Sequence, residues 1–358
     1  MRLYKNIIRK CIGRLSAIAA LTSIFFLQSC DMIKDESDCY QSYNLVRLVY
    51  DHNMKFADAF DSEVKAVTLL AFNSETGRLV KRIDAPHSAL NEDNELVLDV
   101  APGKYDIIVW GGEHPKSFAI ATGTEGESQM QDFHCRMNRL DEQGTANVRE
   151  DLAPLWHGQI DVELPYASPS KPNRITVPLK KDPNTFRVVL QHISGEAVNC
   201  DDFDFTITDS NGWMNHDNSL REDVDITYHP WYTFSGAVDI NTNPTPAPGS
   251  RSLPEAFSTR SALGASLAEF TTSRLLTDRK PILTVTNKKE NKVVLSIPVI
   301  DYALLVKGFY HKDISDQEYL DRQDEYNMTF FLDEGNRWLS AVIIINDWRI
   351  VRHETPIE

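Results

Sequence analysis

Residues 202–209 read DFDFTITD, with Phe203, Phe205 and Ile207 alternating against Asp202, Asp204 and Thr206. A period of two sends successive side chains to opposite faces of an extended strand, so this stretch predicts one buried face and one wet face. The same grammar recurs at NLVRLVY (44–50), EVKAVTLLAF (63–72), ELVLDV (95–100), KYDIIVW (104–110), TFRVVLQHI (185–193), PILTVTN (281–287), KVVLSIPVI (292–300), EYNMTFFL (325–332) and WLSAVIIINDWRIV (338–351). Turn-forming clusters, among them NSETG (73–77) and APG (101–103), separate these runs. Many short strands punctuated in this way predict an all-β protein of sandwich type.

Where the strands stop, domain limits suggest themselves. The stretch ASPSKPNRITVPLKKDPNTF (167–186) contains four prolines and is expected to break regular structure, which places a boundary near Asp182. The resulting division is a segment 1–29 ahead of the folded body, a linker 30–43, an N-terminal sandwich 44–182 and a C-terminal sandwich 183–358. Residues 241–255, also rich in proline, read as a long loop or contact surface inside the second unit. The polar stretch 114–151 shows little periodicity beyond a short helix, and Gly264–Ala268 reads as helix or loop.

The first 29 residues carry five basic side chains, no acidic ones, and an apolar run that ends in Leu27-Gln28-Ser29-Cys30. A charged start followed by an apolar run of this length is an export signal. Its last four residues resemble a lipobox, which implies cleavage before Cys30, a diacylglycerol on the Cys30 sulfur and a third acyl chain on its new amine. Several chains together give stable membrane attachment. Without the signal the chain has 32 basic and 52 acidic residues, a net charge of −20. Nucleic acid is therefore a poor partner, and an anionic bilayer surface repels the body, which leaves the lipid as the expected membrane contact. Cys39, Cys135 and Cys200 then remain, enough for at most one internal disulfide.

Chemical motifs are sparse. In YDHNMKFADAFDSE (50–63), Asp51 and Asn53 match the first and third positions of a calcium loop, but Lys55, Phe56 and Ser62 stand where a ligand, a glycine and a bidentate glutamate are needed. The same stretch reads better as a short helix with Asn53 as N-cap and Phe56, Phe60 and Val64 along one side. Zinc, P-loop, dinucleotide and nucleophile-elbow signatures are not found, so no catalytic residue, metal or cofactor is assigned beyond the lipid on Cys30. Aromatic residues beside turn formers, Trp213 on one side and Trp231 with Tyr232 on the other, are the candidates for stacking on sugar rings.

The lipobox, VRLVYDHNMKFADAFDSEVKAVTLLAF (46–72), DLAPLWHG (151–158), AEFTTSRLL (268–276) and RWLSAVIIINDWRIV (337–351) together resemble the FimB-type anchor and accessory lipoproteins of type V fimbriae. Asp51, Asn53, Phe56, Phe60 and Trp348 belong to the most specific parts of that resemblance. It implies two transthyretin-like β-sandwiches, residence in the outer membrane at the base of a fimbria, exposure at the cell surface, and fimbrial stalk or accessory subunits as partners. Filaments of sandwich subunits join by adding a strand to an open sheet, where main-chain hydrogen bonds supply the grip. With only seven residues after Val351, the chain is expected to receive or cap a subunit without extending the filament. The expectation is a non-enzymatic anchor that controls filament attachment and length. A fimbrial tip adhesin or a surface glycan-binding lipoprotein is the alternative.

Overall fold

The computed structural model describes residues 42–351, except 114–115, 143–144, 239–262, 309–310 and 347. Strands are numbered along the chain. Seven form one sheet in the order β3 (Leu79–Pro86), β2 (Ala66–Asn73), β5 (Gly103–Gly111), β10 (Trp156–Leu164), β11 (Asn173–Lys181), β1 (Ser42–His52) and β4 (Glu95–Val100). A second sheet runs β16 (Tyr232–Val238), β17 (Leu263–Thr272), β12 (Asn184–His192), β20 (Glu325–Leu332), β21 (Trp338–Ile345) and β22 (Trp348–Val351). The third is β19 (Lys292–Pro298), β18 (Ile282–Asn287), β13 (Phe203–Asp209), β15 (Ile226–Tyr228), β9 (Thr145–Val148) and β8 (Leu140–Glu142). A small fourth sheet joins β14 (Trp213–Asn215), β7 (His134–Met137) and β6 (Phe118–Ile120).

The protein is all-β, as the alternation in DFDFTITD implied: Phe203, Phe205 and Ile207 are buried on β13 while Asp204 is exposed. Two cores explain why β2 and β5 read as nearly continuous apolar runs. Leu69, Ala71, Ile107 and Val109 face a core enclosed by the first sheet, and Leu70, Phe72, Ile108 and Trp110 face a larger one shared with the other sheets. A strand covered on both faces has no reason to alternate. The turn at 73–77 forms where expected, with the Asn73 side chain accepting from the amides of Glu75 and Thr76 and with Gly77 at φ 68°, a backbone angle that favours glycine.

Several sequence expectations are corrected. The proline-rich 167–186 segment contains a strand, β11, which lies between β1 and β10. Pro178 is tolerated there because β10 pairs with β11 only at Lys180 and Lys181, so no ladder bond is asked of the missing N–H. The Gly264–Ala268 stretch belongs to β17, whose small residues let the strand press on the 193–199 turn: a Cβ on Gly264 would sit 2.4 Å from the Ala197 Cα. Residues 118–148 contain β6 to β9, each of three or four residues, too short for a period to register. β7 pairs with β14 and β9 with β15, so strand pairing crosses Asp182. The run 292–300 stays extended only to Pro298 and then turns into a helix, Val299–Leu305. Residues 338–351, read as one strand, are two: β21 and β22 form a hairpin around Asn346, which adopts φ 45°. A turn of this kind uses residues that tolerate positive φ, and Asn-Asp between two apolar runs was its signal.

Gly158 marks a close approach in the first sheet. A Cβ there would lie 2.5 Å from the Pro178 carbonyl oxygen and within 2.8 Å of the Val177 side chain. Gly158→Ala is expected to lower stability by about 1–3 kcal/mol through overpacking, read as a lower urea midpoint with an unchanged slope.

Candidate functional site

Leu27, Gln28, Ser29 and Cys30 lie outside the described residues, which begin at Ser42. There the chain is secured at once. The Ser42 hydroxyl donates to the Pro165 carbonyl (3.0 Å) and accepts from the Ala167 amide (2.9 Å). Asn44, fully buried, donates to the carbonyls of Ser42 and Leu98, and its own Oδ1 accepts from Asn173. β1 then runs parallel to β11 on one side and antiparallel to β4 on the other.

At the far end of β1, the YDHNMKFADAF block forms a compact turn. Asn53 caps no helix: its Oδ1 accepts from the Lys55 amide and its Nδ2 donates to the carbonyls of Tyr50 and Ala57. The helix spans only Phe60–Glu63, and Asp58 prepares it by accepting from the amides of Tyr50 and Phe60. Phe60 is buried and stacks on His87, whereas Phe56, at φ 51° and 57% exposed, stands off the helix beneath the Arg322 guanidinium, 4.5 Å from its ring centre. Arg322 also donates to the carbonyls of Asp51 and Asn53. The Asp51 side chain is exposed, and among the described residues no three His, Cys, Asp or Glu side chains converge as a metal site.

Arg322 belongs to the helix Asp316–Arg322, which starts where the Ser315 hydroxyl accepts from the Glu318 amide. This helix ties the end of the first sheet to the remaining body. Asp321 receives the Arg274 guanidinium (2.9 Å), the Lys180 amine (3.1 Å) and the Gln317 amide (2.8 Å). Next to the helix, Asp324 takes Lys181 at 2.7 Å, with Glu63 at 3.5 Å. Asp182, in the two-residue link from β11 to β12, is fully buried: one oxygen accepts from Asn218 (2.7 Å), Arg274 stands 3.8 Å away, and the second oxygen has no partner.

The two carboxyls around Arg274 are driven apart. Burial alone would raise Asp321, but Arg274 and Lys180 outweigh it and hold the carboxyl below its ordinary value. Burial dominates at Asp182, where Arg274 and Asn218 offset only part of it and the carboxyl is pushed up to about 7. Two histidines close the junction in neutral form. Burial lowers His52 to about 4, helped by Arg322 and Lys180. His157, which meets the His216 carbonyl at 2.8 Å, is lowered to about 4 by burial as well.

The aromatic candidates separate. Trp213 has the guanidinium groups of Arg136 and Arg221 over its ring, at 5.2 and 5.3 Å, and His134 against its edge. Trp231 and Tyr232 lie together at the start of β16, ring centres 5.9 Å apart and 37% and 44% exposed. Trp348 opens β22, paired with Ile345 in the backbone register. The thiols of Cys135 and Cys200 are free. The junction residues Arg274, Asp321, Arg322 and Asn218 were not foreseen; the Ser315-x-x-Glu318 spacing was the only sequence signal for the helix that collects them.

A carboxyl raised on folding contributes stability that is complete below its ordinary value of 3.8 and lost as pH climbs through about 7. Asp182→Asn is therefore expected to stabilise the protein by on the order of 1–3 kcal/mol at pH 8, with the gain vanishing near pH 4 in chemical unfolding. Arg322→Ala, which frees two carbonyls and the Phe56 ring, is expected to cost about 1–2 kcal/mol and to speed hydrogen exchange over residues 51–57 more than in β5.

Comparison with known proteins gives this geometry a context. The sequence pattern of the family described as fimbrillin-A associated anchor proteins Mfa1 and Mfa2 matches residues 36–354. A protein of Bacteroides thetaiotaomicron, solved as a candidate polysaccharide-binding protein, is 29% identical, with a TM-score of 0.71 over 88% of this chain and 99% of its own. A candidate adhesin of the same organism is 28% identical, with a TM-score of 0.73 over 87% of this chain and 98% of its own. The fimbrial anchor protein Mfa2 of Porphyromonas gingivalis shares the fold at 16% identity, with a TM-score of 0.63 over 87% of this chain and all of its own. No curated protein matches the chain in sequence. The protein belongs to the fimbrillin-A associated anchor family.

Proposed function

We propose that this chain is a lipid-anchored fimbrial anchor of the outer membrane, exposed at the cell surface, which holds a fimbrial stalk or accessory subunit and so sets filament attachment and length. Cys30 would carry the acyl chains, and the −20 charge of the mature chain would keep its body off the bilayer. The function is mechanical, with no catalytic step.

The observation that carries this reading is the position of β1. The strand that follows the tether is internal: it pairs with β4 over Ser42–Arg47 and with β11 from Asn44 to His52, so both ladders hold it together over Asn44–Arg47. A pull along that strand must shear two ladders at once, whereas the same pull on an edge strand opens one. Between Cys30 and Ser42 lie twelve residue steps, which extend at most about 43 Å. The body is thus leashed near the membrane while β1 passes tension into the sheet and, through β11, to the junction with the 316–322 helix.

The decisive experiment compares cells expressing the wild type, Cys30→Ala and a deletion, with matched amounts of the first two. Filaments are divided between cells and medium and measured by immunoblot and electron microscopy. Shed, elongated filaments in both mutants are expected. Cell-bound filaments of ordinary length in both would exclude the basal-anchor reading.

A further inference from the structure

Among the described sheet edges, β16 differs in what it shows to solvent. Its pairing with β17 sets Tyr232 opposite Glu269 and Phe234 opposite Leu267, so both rings lie on the face turned away from the core residues Ala268 and Phe270. Tyr232 is 44% exposed and Phe234 43%. Two residues further, Gly236 lies under the Phe234 ring: a Cβ there would come within 2.6 Å of two ring carbons. The glycine lets the ring lie down on the strand and turn its other face outward. Successive residues on one face are about 6.6–6.8 Å apart, so Tyr232 and Phe234 make two adjacent aromatic positions.

Planar polar groups extend from this platform across the same face. The register runs Tyr232, Glu269, Arg187 and Asn327 over four neighbouring strands, each step about 4.8 Å. Arg187 donates to Glu269 at 2.6 Å and, half exposed, reaches Asn327 at 3.4 Å. Aromatic faces suit the C–H faces of pyranose rings, and the exposed guanidinium and carboxamide offer donors and an acceptor to neighbouring hydroxyls, while the buried Glu269 carboxylate holds the guanidinium in place.

We infer that the outer face of the second sheet at Tyr232, Phe234, Arg187 and Asn327, with Glu269 positioning Arg187, is a saccharide-binding surface. A peptide strand added to β16 is the less favoured occupant. Main-chain pairing needs neither a flattened ring nor a polar row, and Gly236 weakens the strand as a template for pairing. This surface is separate from the tether and from β1, so it stands or falls independently of the anchor reading.

The test is affinity electrophoresis of the mature protein through gels containing soluble xylan, galactomannan, amylopectin or gastric mucin, with a protein that binds none of them as mobility standard. Retardation by at least one polymer is expected, weakened several-fold to about tenfold in Tyr232→Ala and Phe234→Ala. Gly236→Val keeps the ring but lifts it from the strand, and a similar loss is expected with thermal unfolding unchanged. Absence of retardation in all four gels, or equal retardation of the wild type and both aromatic variants, would overturn the assignment. So would variants that lose capture of a fimbrial subunit while saccharide retention stays as in the wild type.

Discussion

One guanidinium stands between two buried carboxylates. Arg274 gives its forked face to Asp321 and leaves Asp182 at 3.8 Å with an unpartnered oxygen. Bidentate contact is strong and directional, so the choice fixes the 316–322 helix against the end of β17. The rest of the junction depends on that placement. Lys180 can reach Asp321, Lys181 can reach Asp324, and Arg322 can close over the turn at the end of β1 only when the helix sits there. A buried ionic cluster of this sort is weak as a source of net stability, but removal of one member strands the others. Its effect is to allow a single relative placement of the first sheet and the remaining body.

How far the sequence disclosed this depended on the length and coverage of each element. β13 and β20 were legible because seven or eight residues alternate against one core. β6 to β9 were not, since they are only three or four residues long, and β7 and β9 find partners in 213–228, far along the chain, which no local period records. β11 was hidden by Pro178 and the prolines that flank the strand; the compatibility of Pro178 with a strand rests on where β10 departs, a tertiary fact. In the YDHNMKFADAF block the residue types were informative and the geometry was not. Asn53 and Phe60 have structural duties, but Asn53 closes a turn and Phe56 leaves the helix for Arg322, a residue about 270 positions away.

The two surfaces at which we propose that the protein meets its surroundings are built on opposite principles. β1 is an internal strand, paired on both sides over Asn44–Arg47, and is suited to resist. β16 is an edge strand with exposed rings and is suited to contact. They belong to different sheets, and the ionic junction joins the sheet of the first to the body that carries the second.

The parallel pairing of β1 with β11 also bears on how the molecule comes into being. Asn44 meets Asn173, a separation of 129 residues, and β9 meets β15 across 80. Contacts of that span demand large loop closures and slow the search for the native state. A chain that crosses a membrane N-terminus first would deliver β1 long before its partner strand arrives. Until about residue 181 has emerged, the first strand has β4 for a neighbour and nothing on its other side, a period in which an open strand edge is exposed to misassembly.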